Sequence, residues 1–146
     1  MDSKQLNIPD LLLLTQQHPT PWRGMPKGTI MGHIHLHVDA LAPAVAFYQD
    51  ILGLDLVMNY GESAAFLSYN GYHHHVGLNT WAGKGAPPPP ADAPQLRWYE
   101  LRLNDAAALP TIKAQAQQHN WPIQEENGHI FIQDPAKNRI ALIIHN

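Results

Sequence analysis

The chain has no cysteine and little charge, with 9 Lys and Arg and 12 Asp and Glu in 146 residues. Without cysteine there are no disulfides and no thiolate ligands, so any metal must be held by imidazole nitrogen or carboxylate oxygen. A formal charge of −3 with no cluster of Lys or Arg leaves nothing to neutralise a phosphate backbone, and no nucleic-acid partner is expected. Long hydrophobic runs are missing too. The continuous apolar run near the N-terminus is Leu11-Leu12-Leu13-Leu14, too short to span a bilayer and lacking the basic flank of a signal peptide. No membrane partner is expected, and a soluble cytoplasmic protein is the default. At this length, with 45% hydrophobic residues, the chain reads as one globular domain burying roughly 70% of its unfolded surface.

Histidine is plentiful, with 10 in the chain, and three of them are consecutive. They lie in Gly71-Tyr72-His73-His74-His75-Val76-Gly77-Leu78-Asn79-Thr80-Trp81, a β-type run. Imidazole is the commonest metal ligand and a general acid/base near neutral pH, so this run is the first candidate for chemistry.

The pattern along the chain has a lead-in and two similar halves. Residues 1–29 hold a short helix around Pro9–Leu14, with proline in its first turn, and an extended connector containing Pro19, Pro21 and Pro26. Residues 30–146 form one domain: a first module over 30–82, a proline linker over 83–95 and a second module over 96–146. In the first module, His33-Ile34-His35-Leu36-His37-Val38 alternates with period two, and residues 42–52 read as a helix closed by Gly53. Strands are expected over Leu54–Tyr60, Ser63–Tyr69 and Tyr72–Trp81. Gly83–Pro90 is a polyproline-like segment that cannot pair in a sheet. The second module repeats the order: a strand over Leu96–Leu103, a helix over Pro110–His119 with proline at its first position, then strands over Trp121–Glu126, His129–Asp134 and Arg139–His145. This is an internal duplication of a β-α-β-β-β unit. Each unit has one apolar sheet face, so two must pair to close a core.

Several residues now carry a resemblance. His33 followed by Leu36 and Val38, then Phe47-Tyr48 with Leu52-Gly53-Leu54, and late Asp134-Pro135 with Asn138, resemble the vicinal-oxygen-chelate superfamily of glyoxalases, bleomycin-resistance proteins and type I extradiol dioxygenases. Gly71–Trp81 followed by Gly85-Ala86-Pro87-Pro88-Pro89-Pro90, together with Trp22–Thr29, is similar to the catechol-2,3-dioxygenase-like branch. Members of that branch carry four such units, and this chain resembles their C-terminal two. The resemblance implies an α+β fold in which two tandem βαβββ modules form a half-open antiparallel β cup with helices outside.

It also implies site residues. The first family metal ligand, a histidine opening the first strand, falls on His33. The second and third fall on Trp98 and Ala141, which carry no donor. The family acid/base histidine is best matched by His74, with His75 one register step away. Phe131 stands where a substrate-contacting tyrosine is implied, and Gln124 where a further histidine is. Alternation puts His33, His35 and His37 on one strand face, and His73 and His75 on one face with His74 on the other. Glu100 shares the face of Trp98 and is the candidate to replace a lost carboxylate, ahead of Glu62 and Glu125.

Two function classes follow. In the first, the metal site is degenerate and the cup binds a small apolar or aromatic molecule without a cofactor, lined by His33, His35, His75, Trp98, Glu100 and Phe131. In the second, the chain is an extradiol ring-cleaving dioxygenase using Fe²⁺ or Mn²⁺ at a rearranged site of His33, His74 or His75, and Glu100, with His74 as acid/base. A third possibility is a fragment that works beside another chain supplying the missing modules. A homodimer is expected, since absent modules leave sheet edges and apolar surface to cover.

Overall fold

The computed structural model describes residues 4–144 and divides into two compact units, Met1–Gly32 and His33–Asn146. The first unit contains helix α1, Ile8–Gln17, with Asn7 as its N-cap accepting from the amide of Asp10 at 3.3 Å. The leucines and isoleucine of this helix are all exposed. No described helix is long and apolar enough to cross a membrane.

The second unit is built on two four-stranded sheets. Sheet one takes β1 (Ile34–His37), β2 (Asp55–Tyr60), β3 (Ala64–Ser68) and β4 (Val76–Asn79) in the order β1-β4-β3-β2. Sheet two takes β5 (Tyr99–Leu103), β6 (Ile123–Glu126), β7 (His129–Gln133) and β8 (Arg139–Ile144) in the order β5-β8-β7-β6. Helix α2 (Leu41–Ala46), running on into a π-helical turn over Phe47–Ile51, follows β1, and α3 (Ala108–Gln118) follows β5. The duplicated β-α-β-β-β order is therefore present. Each sheet is mixed rather than wholly antiparallel, because β1 pairs in parallel with β4 and β5 with β8. That parallel pair is the physical consequence of the crossover: the first and last strands of a unit run the same way.

Alternation sets the core. Ile34, Leu36 and Val38, with Val76, Leu78 and Leu67, turn one face of sheet one inward against Ala44, Phe47, Tyr48 and Ile51. Tyr99, Leu101 and Leu103, with Ile132, Ile140 and Leu142, do the same in sheet two against Ile112 and Ala116. Each such buried aliphatic contributes about 1.5–3 kcal/mol relative to exposure. Both helices lie on these inward faces, which leaves the opposite faces to carry chemistry.

A buried polar joint ties the modules. The Tyr48 hydroxyl lies 3.0 Å from that of Tyr99 and donates to Asp134 Oδ2 at 3.2 Å. Asn138 donates to Asp134 through its amide at 2.8 Å and through Nδ2 at 2.8 Å, closing the β7–β8 turn. The Asp-Pro…Asn motif is thus a structural clasp. Burial pushes the Asp134 carboxyl above its ordinary range even though Asn138 and Tyr48 donate to it.

Local boundaries differ from the sequence expectation, among them at β5, which begins at Tyr99 rather than Leu96 and leaves Trp98 ahead of it, and at β6, which begins at Ile123 rather than Trp121. The last strand of module one begins at Val76, so His73–His75 precede it instead of lying within it. Pro110 occupies the third position of α3, still in the first turn where its missing N–H costs nothing. His145 lies outside the described residues.

Candidate functional site

Two outward faces hold the candidate residues. On sheet one, His33 and His35 stand two residues apart on the same side of β1, and the parallel pairing with β4 sets them beside the segment that enters β4. The amide of Ile34 donates to the carbonyl of His75 at 2.9 Å, and His35 is opposite Gly77. His74 turns onto this face. Its Nε2 lies 3.2 Å from His35 Nε2, and its ring centroid lies 4.5 Å from that of His33. Phe66 of β3 closes the floor at 5.0 Å from the His74 ring.

Gly77 is what admits this packing. A Cβ there would stand 3.0 Å from His35 Cε1 and 3.1 Å from both ring nitrogens, so only glycine lets the imidazole lie flat on the sheet. Among the described residues, His33, His35 and His74 are the set of three potential ligands whose donor atoms lie within 4.8 Å of one another. His33 and His35 are exposed, whereas His74 is 7% exposed. His74 is pulled down to about 4, first by burial and then by the neighbouring imidazoles His33, His73, His35 and His75. His35 is also lowered, by burial and by His33. Both are neutral at pH 7, with nitrogen lone pairs available.

The other two histidines of the triple behave differently. His75 turns away: its Nδ1 accepts from the amide of Tyr69 at 3.1 Å, and its ring stacks on Tyr72 at 4.7 Å. Burial lowers its pKa. His73 stacks on Tyr72 at 4.2 Å and sits at the rim of the cluster, 5.9 Å from His33. His74 and His73 thus both face His33, where strict alternation would separate them.

On sheet two, Trp98, just before β5, meets Phe131 of β7 edge to face at 6.0 Å. The Arg139 guanidinium lies 3.7 Å from the Phe131 ring centroid and is paired with Glu126. Ala141, in register with Phe131 and with Glu100, is buried between them. Glu100 is exposed and bonded to Arg102 at 3.3 Å. The structure therefore assembles His33 with His35 and His74 on one face, and Trp98 with Phe131 on the other. Glu100 joins no histidine. Sequence reasoning missed Arg139; the signal was the Asp134–Asn138 turn, which folds Arg139 diagonally back toward Phe131. It also missed the roles of Gly77 and Phe66.

Trp98 and Ala141, the positions on which the resemblance places the second and third metal ligands, do not themselves fit a metal. Trp98 offers an indole N–H, which is a donor and not a ligand, and Ala141 offers a methyl group. No metal-dependent step is derived through them.

Comparison with known proteins agrees with this architecture. The family described as the Glyoxalase/Bleomycin resistance protein/Dioxygenase superfamily matches residues 30–142. The catechol-2,3-dioxygenase of Bacillus subtilis (strain 168) is 46% identical over 112 residues, covering 76% of this chain. The chain matches 39% of that relative's length. Among solved structures, a lactoylglutathione lyase from Agrobacterium tumefaciens superposes with a TM-score of 0.58 at 21% identity, covering 82% of this chain and 96% of that one. A glyoxylase/bleomycin resistance protein/dioxygenase domain from Frankia sp. EAN1pec does so with a TM-score of 0.60 at 14% identity, covering 81% and 98%. At these identities the structural matches speak for the fold.

Proposed function

The chain belongs to the glyoxalase/bleomycin resistance protein/dioxygenase superfamily, and from that premise we propose that it binds a small flat apolar or aromatic molecule on the outward face of sheet two, without a metal at the family positions. The observation that carries this reading is the Trp98–Phe131 ring pair standing where the family site would be, beside Ala141 and capped by Arg139. Ring edges and a methyl group give an apolar wall, and the guanidinium gives donors for a phenolic oxygen. His33 and His35 belong to the outward face of sheet one and His75 turns away from that face, so none of the three is needed for this contact. Glu100 sets the charge at its edge. A homodimer in the cytoplasm is part of this reading, since two outward faces remain to be covered, and elution as a monomer counts against the dimer.

Catechol is a suitable probe. Titration followed by tryptophan fluorescence and calorimetry is expected to give saturable binding, weakened at least about tenfold in Trp98→Ala, because losing one stacked aromatic face removes on the order of 1.4 kcal/mol or more. Equal affinity in the variant rejects this site.

A second reading has one observation in its favour, the 46% identity to a catechol-2,3-dioxygenase. It makes the chain a ring-cleaving dioxygenase that uses Fe²⁺ or Mn²⁺, with His74 as acid/base. Oxygen uptake on mixing catechol with protein loaded anaerobically with Fe²⁺ is its expected signature, and no uptake above free Fe²⁺ rejects it for this chain alone.

A further inference from the structure

We propose that His33, His35 and His74 form a three-imidazole site for a first-row divalent cation of the zinc class, held wholly within module one: it shares His33 with the first family ligand position and takes neither of the other two. The backbone supplies the geometry. Two ligands come from alternate residues entering and within β1, and the third from the segment entering β4, its parallel neighbour. A tetrahedral ion with metal–nitrogen distances of about 2.0–2.1 Å needs its ligand atoms about 3.3 Å apart. His35 Nε2 and His74 Nε2 are already 3.2 Å apart. The donor of His33 lies within 4.8 Å of both, on an exposed ring that closes the gap by rotation.

Three further features fit. His74 is buried, and the side-chain contact of its Nε2 among the described residues is with another imidazole, His35 Nε2, rather than with a dedicated donor or acceptor. Gly77 keeps the space that the His35 ring occupies. His33 and His35 are exposed, so the fourth position of the ion opens to solvent, as it does in sites that carry water or a ligand. The donor set also predicts selectivity. Three imidazoles with no carboxylate among them suit Zn²⁺, Cu²⁺, Ni²⁺ and Co²⁺ and disfavour Mg²⁺ and Ca²⁺.

The test uses the full chain stripped with a chelator. Calorimetric titration with Zn²⁺ is expected to give one ion per chain, with no heat of binding for Mg²⁺. Co²⁺ is expected to develop the intense visible bands of a tetrahedral nitrogen site. His33→Ala and His35→Ala change exposed residues and leave folding intact. Each is expected to weaken Zn²⁺ at least about tenfold and to abolish the Co²⁺ bands, while His73→Ala, at the rim, keeps both. Failure of the wild-type chain to bind Zn²⁺ overturns the proposal. So does undiminished binding by His35→Ala, or loss of binding by His73→Ala with His35→Ala unaffected.

Discussion

Sheet one and sheet two share a backbone plan and differ in what they turn outward. In both, the first strand pairs in parallel with the last, and the registers correspond: His35 faces Gly77 where Glu100 faces Ala141. Inward, the two are close to interchangeable, with Leu36 and Leu78 in one and Leu101 and Leu142 in the other. Outward, one carries imidazoles on a glycine floor, and the other carries Trp98, Phe131 and Arg139 around an alanine. Packing density constrains the inner face of a duplicated unit in both copies. The outer face carries no helix, so its residues, buried like Phe131 and Ala141 or exposed like His33 and Glu100, are free of that constraint and can take up different chemistry.

If the inner faces are equivalent, equivalent deletions should cost the same. Leu78→Ala and Leu142→Ala are each expected to lose about 2–5 kcal/mol in denaturant unfolding, the largest effects predicted here. A loss confined to one of them would show that the modules do not unfold together. The buried joint is not duplicated: Tyr48 comes from one copy, and Tyr99 and Asp134 from the other. The Asp134 carboxyl is raised above its ordinary value chiefly by burial, so between the ordinary and the raised value the folded chain keeps a proton that the unfolded chain has released. Stability then falls as pH rises through that window, by up to about 1.4 kcal/mol for each unit of the shift. The depressed imidazoles His74, His35 and His75 add a slope of the opposite sign in the acid range, since the unfolded chain binds protons there that the folded chain does not. The Asp134 contribution is therefore read as the difference in melting midpoint between the wild type and Asp134→Asn, which should change with pH from about pH 4 upward; a difference independent of pH would place the titration elsewhere.

The duplication and both inner faces were legible because packing enforces strict alternation over residues 33–38 and 98–103, and a one-residue slip would bury histidine or Arg102. The triple histidine was legible as a marker but not as a place. Tyr72–His75 reads as strand, yet Ser68 Oγ donates to the carbonyl of Tyr72 at 2.6 Å and the Tyr69 amide donates to His75 Nδ1. Such side-chain bonds compete with a ladder and delay the strand to Val76. The meeting of His35 with His74, 39 residues apart, depends on β4 inserting next to β1 past β2 and β3, and no local period encodes strand order. Family resemblance singled out His33 and His74 but not the glycine that lets His35 join them. The hydroxyl of Tyr48, which entered the sequence reading only through the Phe47-Tyr48 motif, holds the joint between modules.

The outer faces should differ in stability as well as in ligands. Trp98→Ala loses an edge-to-face contact with Phe131 and is expected to cost about 0.5–1.5 kcal/mol, whereas His33→Ala, exposed and without a hydrogen bond to the backbone, is expected to stay within about 0.5 kcal/mol. Equal costs would mean that the aromatic pair is not a packed wall.

The smallest effect on stability is expected at Gly77, whose counterpart in sheet two is Ala141, and it bears most directly on why the two faces diverged. In Gly77→Ala the new Cβ meets three atoms of the His35 ring at 3.0–3.1 Å, and the exposed ring can yield by swinging outward. A strand glycine replaced by alanine gains about 0.5–1 kcal/mol, so crowding and propensity should nearly cancel in the unfolding free energy. The imidazole geometry should not survive, because the swing carries His35 Nε2 away from His74 Nε2. Imidazole resonances of His35 and His74 are therefore expected to shift strongly in Gly77→Ala, and Zn²⁺ binding to weaken with them. Ala141→Gly has no ring to receive and should only cost about 0.5–1 kcal/mol without creating a site. If Gly77→Ala left those resonances in place, the glycine would be incidental, and the difference between the faces would lie in the histidines alone.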